Sequence, residues 1–193
     1  MIRAGFTFEH PATKTRTVVL ESDAETNGMG WLLEVTRTSK LGPDLGEHLH
    51  LTWTETFEIL RGTAKYKLDG NERIAKAGES FVVEPGRFHV HPWNATDEEL
   101  VYRQRDRFEQ PSRAAVQDIL GIFATRTGMA RDGIRYKGFA RLLFQSATIR
   151  AAVKHGNYVA SPSMRMQNVL ASTLGLLGEL LGYKAVNPRY VGE

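Results

Sequence analysis

Cysteine is absent from this 193-residue chain. Its absence excludes disulfides, thiolate zinc sites, iron–sulfur clusters and a cysteine nucleophile, and it leaves a metal only nitrogen and oxygen ligands. Long hydrophobic runs are missing too. The longest uncharged stretch, residues 166–178 between Arg165 and Glu179, spans 13 residues, whereas a membrane helix needs about 20. The start, Met1-Ile2-Arg3-Ala4-Gly5-Phe6, lacks the apolar core of a signal peptide, so the expectation is a soluble, cytoplasmic protein. There is no repeat, no low-complexity segment and no run of basic residues interleaved with aromatics, which argues against a nucleic-acid partner. What remains is ordinary for a globular chain: 21.6 kDa, 41% hydrophobic and 24% charged. That length suits one domain or one domain with an appendage, and it buries enough apolar surface to need no covalent staples.

Charge and periodicity divide the sequence near Phe108. Residues 1–108 carry 14 Lys/Arg against 17 Asp/Glu, and residues 109–193 carry 11 against 5. The first part is strand-like. Thr17-Val18-Val19-Leu20, then Trp31, Leu33 and Val35, then His48 and His50 recur at two-residue spacing. Asp69-Gly70 between Tyr66-Lys67-Leu68 and Asn71-Glu72-Arg73-Ile74 reads as a hairpin turn. Ser80–Val83 and Leu100–Tyr102 add short strands. Many short strands broken by Gly and Pro predict a mainly β sandwich or barrel.

After Phe108 the period lengthens. Pro111-Ser112 marks a helix start, followed by Ala115, Val116, Ile119, Leu120 and Phe123 at helical spacing. Lys137–Lys154 and Ser163–Leu181 are further helical stretches, the last ending at Gly182, where a left-handed cap fits. Its stripe of Met166, Val169, Leu170, Thr173, Leu174, Leu177 and Leu181 should be buried on the barrel or in a homodimer. Shallow contact with an anionic membrane is the alternative. The expected organisation is a β-barrel over 1–108 and a helical extension over 109–193, a segregated arrangement.

Chemistry concentrates between Gly42 and His91. On a strand His48 and His50 point to one face, half of a metal site. Glu55 opens the next strand and shares a face with Phe57 and Ile59; among apolar neighbours a carboxylate is costly unless paired or metal-bound. His89 and His91 form a second His-x-His pair, so four of the six histidines are so arranged.

Gly42–Gly62 is similar to the first motif of the cupin family, G-x5-H-x-H-x4-E-x6-G, at every fixed position. Gly78–His89 resembles the second, G-x5-P-x-G-x2-H-x3-N, through Gly78, Gly86 and His89. Glu84 stands at the motif proline with Pro85 one place later, and Trp93 stands at the motif asparagine with Asn94 one place later. The resemblance implies an antiparallel jelly roll holding a divalent metal through His48, His50, Glu55 and His89. Three imidazoles and a carboxylate suit Fe, Mn, Ni, Cu or Zn and disfavour Mg and Ca; the same four could instead form a hydrogen-bonded polar cluster without metal. His91 is the candidate acid/base, or a plain strand residue. Phe57, Ile59, Trp53, Trp93 and Arg103 are the candidate substrate-pocket residues, Arg103 and Arg105 sharing a face that could grip a carboxylate or simply meet solvent.

Cupin resemblance allows dioxygenases, isomerases, epimerases and decarboxylases, so the fold alone selects no reaction. The expectation is a metal-dependent enzyme on a small organic molecule, with oxygen-dependent chemistry preferred because the ligand set leaves coordination positions open. The alternative is a non-catalytic small-molecule or metal-binding sensor acting through its helical tail.

Overall fold

A computed structural model describes residues 1–192. The strands are β1 (Thr7–His10), β2 (Thr15–Glu21), β3 (Gly30–Arg37), β4 (His48–His50), β5 (Trp53–Arg61), β6 (Thr63–Leu68), β7 (Asn71–Lys76), β8 (Ser80–Val83), β9 (His89–Asn94), β10 (Leu100–Phe108) and β11 (Asn157–Val159). They form two antiparallel sheets, β1-β2-β3-β10-β5-β8 and β11-β4-β9-β6-β7, the jelly-roll arrangement. Alternation fixes which side chains go inside. In β10, Leu100, Tyr102, Gln104, Asp106 and Phe108 are buried while Arg103, Arg105 and Arg107 are exposed. At one end of the core Trp31, Trp53 and Phe108 pack edge to face or tilted, with centroids 5.1–6.0 Å apart. These geometries are favourable for aromatic quadrupoles. The Asp69-Gly70 turn has φ of 50° and 76° and joins β6 to β7 in the Leu68–Asn71 register.

Helix α1 (Arg113–Arg131) is capped by the Ser112 side chain, which accepts from the Ala115 amide. Its Ala115, Val116, Ile119 and Leu120 join the barrel core. It is followed by α2 (Gly138–Val153), α3 (Met164–Leu170), a π-helical turn (Ala171–Gly175), α4 (Leu176–Leu180) and α5 (Pro188–Val191).

Two expectations change here. First, residues 109–193 are not purely helical. β11 pairs with β4, setting Asn157, Tyr158 and Val159 opposite His50, Leu49 and His48. Three residues lack a helical or strand period long enough to read, and the pairing is supplied by tertiary context. Gln167, 1% exposed, pins the strand: its amide donates to the Val159 and Pro162 carbonyls and its oxygen accepts from the Val159 amide. Second, of the two places expected for the apolar stripe of the last helices, the barrel does not take it: the stripe is largely outward. Met166, Val169, Leu177 and Leu181 are exposed, and it is Ala171, Gly175 and Gly178 that are buried. A Cβ at Gly175 would stand 2.7 Å from the Ser146 carbonyl oxygen, and one at Gly178 2.7 Å from that of Leu143. The helix therefore lies backbone-close to α2 through its small residues, with Leu170 and Leu174 half-buried and the other large side chains of the stripe outward.

Candidate metal centre

The site is built from two strands that cross the five-stranded sheet side by side, β4 and β9, and from β5 in the facing sheet. His48 and His89 are cross-strand partners, which brings their rings to 4.2 Å between centroids. The loop before β4 is held by Arg37, itself 1% exposed, which donates to the carbonyls of Leu41 and Gly42 and pairs with Asp44 at 3.3 Å. The turn before β9 relies on Gly86 at φ +81°, whose amide donates to the His50 carbonyl at 2.7 Å; a left-handed residue there favours glycine. Asn94, one place past the motif position, is buried and donates to the Arg37 and Glu98 carbonyls. The β6–β9 register shifts between Lys65 and Lys67.

The ring nitrogens are sorted by their backbone partners. His48 Nδ1 lies 2.9 Å from the Gly46 carbonyl oxygen and His89 Nδ1 3.0 Å from that of Arg87. A carbonyl only accepts, so both Nδ1 atoms carry a proton; His48 Nε2 then presents a lone pair, while His89 Nε2 faces the Glu55 carboxylate and shares a proton with it in the metal-free protein. His50 is fully buried and stacks on Trp53 at 4.3 Å. Glu55 divides its oxygens. Oε1 accepts from Gln104 at 3.1 Å and lies 3.3 Å from His91 Nε2; Oε2 lies 2.8 Å from His89 Nε2 and 3.3 Å from His50 Nε2. Ligand atoms of His48, Glu55, His89 and His91 all fall within 4.8 Å of one another, with His50 against the same carboxylate.

Burial and mutual charge set the protonation. Burial, then His89 and His91, holds His48 well below the ordinary histidine value. Burial opposes ionisation of Glu55, but His91, His89 and His50 outweigh it and hold the carboxyl well below its usual range. Burial likewise opposes a proton on His89, yet Glu55 beside it raises the pKa. Burial, then the facing Glu55, pushes the Asp106 carboxyl well above its ordinary value.

A metal fits this arrangement. His50 Nδ1 and Nε2, His89 Nε2, His91 Nε2 and Glu55 Oε2 are buried without a hydrogen-bond partner. The three Nε2 atoms face one another across the Glu55 carboxylate at 2.8–3.3 Å, an arrangement of buried donors around one point that suits an ion. The donors are nitrogens and a carboxylate, the set that suits borderline transition ions.

Of the pocket residues expected from sequence, Phe57 borders the cluster, 5.3 Å from the His91 ring, while Ile59 is buried core. Trp53 supports His50 from below rather than walling a cavity. Trp93 is half-buried, and like Trp53 it lines neither of the two cavities beside the site. Arg103 is corrected outright: it sits on the outer face of β10, 3.4 Å from Glu34, because the inward positions of that strand are Gln104 and Asp106. Those two were not recognised from sequence, although the period-2 pattern that places Arg103 outside puts both of them inside. A cavity of about 240 Å³ opens beside His91 and Gln104, between Tyr102, Leu33, Phe123 and Arg126.

Residues 38–102 match the family model described as the cupin domain. No curated protein matches the chain. Among solved structures, a predicted oxalate decarboxylase from Thermotoga maritima is 18% identical, covering 55% of this chain and 93% of its own, with a TM-score of 0.45. KdgF from Halomonas sp. is 12% identical, covering 54% and 88%, with a TM-score of 0.42. A cupin protein from Bacteroides fragilis is 17% identical, covering 45% and 72%, with a TM-score of 0.40. Likenesses this distant carry no activity across. The family match spans both His-x-His pairs and Glu55, on a double-sheet jelly roll with a helical C-terminal region: residues 38–102 of this chain are a cupin domain.

Proposed function

We propose that this chain is a metal-dependent enzyme acting on a small organic molecule, its divalent transition ion held by His48, His50, Glu55 and His89. The supporting observation is the convergence of buried donor atoms, His50 Nε2 and His89 Nε2 on Glu55 Oε2 at 3.3 and 2.8 Å, with the Nε2 of His48 freed by its Nδ1 contact. When bound, such an ion supplies Lewis-acid polarisation or, as iron, oxygen activation. The chain's own residues do the rest. Gln104 fixes the Glu55 carboxylate by donating to Oε1, and the raised pKa of Asp106 disfavours a second negative charge beside it. His91 lines the 240 Å³ cavity and is the group that holds or moves a proton there, at Nε2. Oxygen-dependent chemistry is the preferred reaction class, because four protein ligands leave positions open for both a substrate and oxygen.

A sensor reading draws on a different observation: β11, from the helical region, pairs with the histidine-bearing β4, so occupancy of the site would be felt by the helices. The two readings part on substrate consumption. With Fe(II)-loaded protein and candidate organic acids, oxygen uptake that needs His91 supports the enzyme. Saturable binding with no turnover under any metal supports the sensor.

A further inference from the structure

A second, larger cavity of about 790 Å³ lies between the barrel and helices α1 and α2. That is within the volume range of small-molecule sites. It reaches the candidate metal centre through His48, and it shares Leu45, Phe123 and Arg126 with the smaller cavity beside His91. Most of its wall is apolar, including Ile119, Ile122, Met129, Phe144 and Ile149, and no carboxylate lines it. Three arginines do: Arg126, Arg135 and Arg141. None of them has an ion-pair or hydrogen-bond partner among the described residues; in the same helical region Arg165 has none either, while Arg131, Arg150 and Arg189 are paired. The Ser146 hydroxyl, in the cavity wall and 1% exposed, is likewise without a partner.

Arg126 is the informative residue, because it stands where the two cavities meet. Its side chain is exposed, lines both cavities and has no acidic partner among the described residues. Asp44, the carboxylate that lines the smaller cavity, is engaged by Arg37 at 3.3 Å. An unpaired guanidinium beside an apolar cavity wall is suited to a planar carboxylate through two parallel hydrogen bonds.

We infer that the cavity binds an amphipathic organic acid, its carboxylate on Arg126 and its apolar body along α1 and α2. This deepens the enzyme reading by naming a substrate class, and it rests on that reading only for the claim that the bound acid is what the metal centre acts on.

Calorimetric titration of the full chain with octanoate, 3-phenylpropanoate and 1-octanol tests the inference, with metal content measured on the same samples. At least one acid should bind at one per chain, with 1-octanol about tenfold weaker or more. Arg126→Gln should weaken the acid by a similar factor while folding and metal content stay as in wild type, and Arg126→Lys should recover part of the binding. Acid and alcohol binding equally, Arg126→Gln binding like wild type, or no binding by either acid would overturn it. Acid binding through Arg126 in a chain that takes up no metal would sink the metal reading and leave this site standing.

Discussion

At the residue scale, the cluster depends on side chains whose alternatives are all unfavourable. Gln104 is the clearest case. It donates both to Glu55 Oε1 and to Asp106, the latter at 2.9 Å. Gln104→Leu leaves two buried carboxyl groups short of a donor, so it should lower stability by about 1–3 kcal/mol and metal affinity by about 10–100-fold. Thermal denaturation and competition with a chelator measure the two effects. The pH response of the metal-free protein follows from His48. Its folded pKa lies well below the ordinary 6.5, so the unfolded chain takes a proton that the folded one refuses, and this histidine removes stability as pH falls below about 6.5. His89 acts with the opposite sign: its raised pKa adds stability below about 6.5 that is lost as pH rises through the folded value. His48→Phe should therefore flatten the acid arm of a plot of Tm against pH. An unchanged acid arm would show that His48 accepts its proton in the folded state. Metal release should also rise on acidification, since protons and metal compete for the same lone pairs.

At the element scale, legibility followed periodicity. β4, β5 and β9 were readable because the histidine pairs and Glu55 sit at period-2 positions between glycines, and α1 because Ser112 and a run at helical spacing announce it. β11 was not, since its three residues are ordered by β4 and Gln167 rather than by their own pattern. Of the two places expected for the stripe of the last helices, the barrel is not the one, for a similar reason. Apolar side chains usually mark the buried stripe, but here close approach to α2 selects Ala171, Gly175 and Gly178. Gly178→Val, whose side chain would meet the Leu143 carbonyl, should cost about 1–3 kcal/mol as overpacking and lower Tm, whereas Leu180→Ser, at a 77% exposed position, should leave the monomer's Tm almost unchanged.

At the scale of the whole molecule, barrel and helical region are interlocked. The region after Phe108 supplies core residues from α1, the β4 partner strand β11, and a hydrogen-bonded anchor: His155 Nε2 sits 2.8 Å from the Asp118 carboxylate, and its carbonyl accepts from Thr52. Truncation after Phe108 should therefore yield insoluble protein, and a soluble truncated monomer would contradict the interlock. No described helix is long and apolar enough to cross a membrane. Met166, Val169, Leu177, Leu180 and Leu181 nevertheless leave an apolar face, larger in character than scattered surface residues. The homodimer expected from sequence would cover it. Light scattering of wild type and a Leu177→Lys/Leu180→Lys variant tests this, the prediction being a dimer that dissociates in the variant.

The central claim is the metal centre, and elemental analysis of protein purified without a metal-affinity tag, beside His50→Ala and His91→Ala, tests it most directly. The account predicts close to one Mn, Fe, Ni, Cu or Zn per chain in wild type, lost in His50→Ala and largely retained in His91→Ala. Wild-type protein that is metal-free and takes up none of these ions when they are added would contradict it.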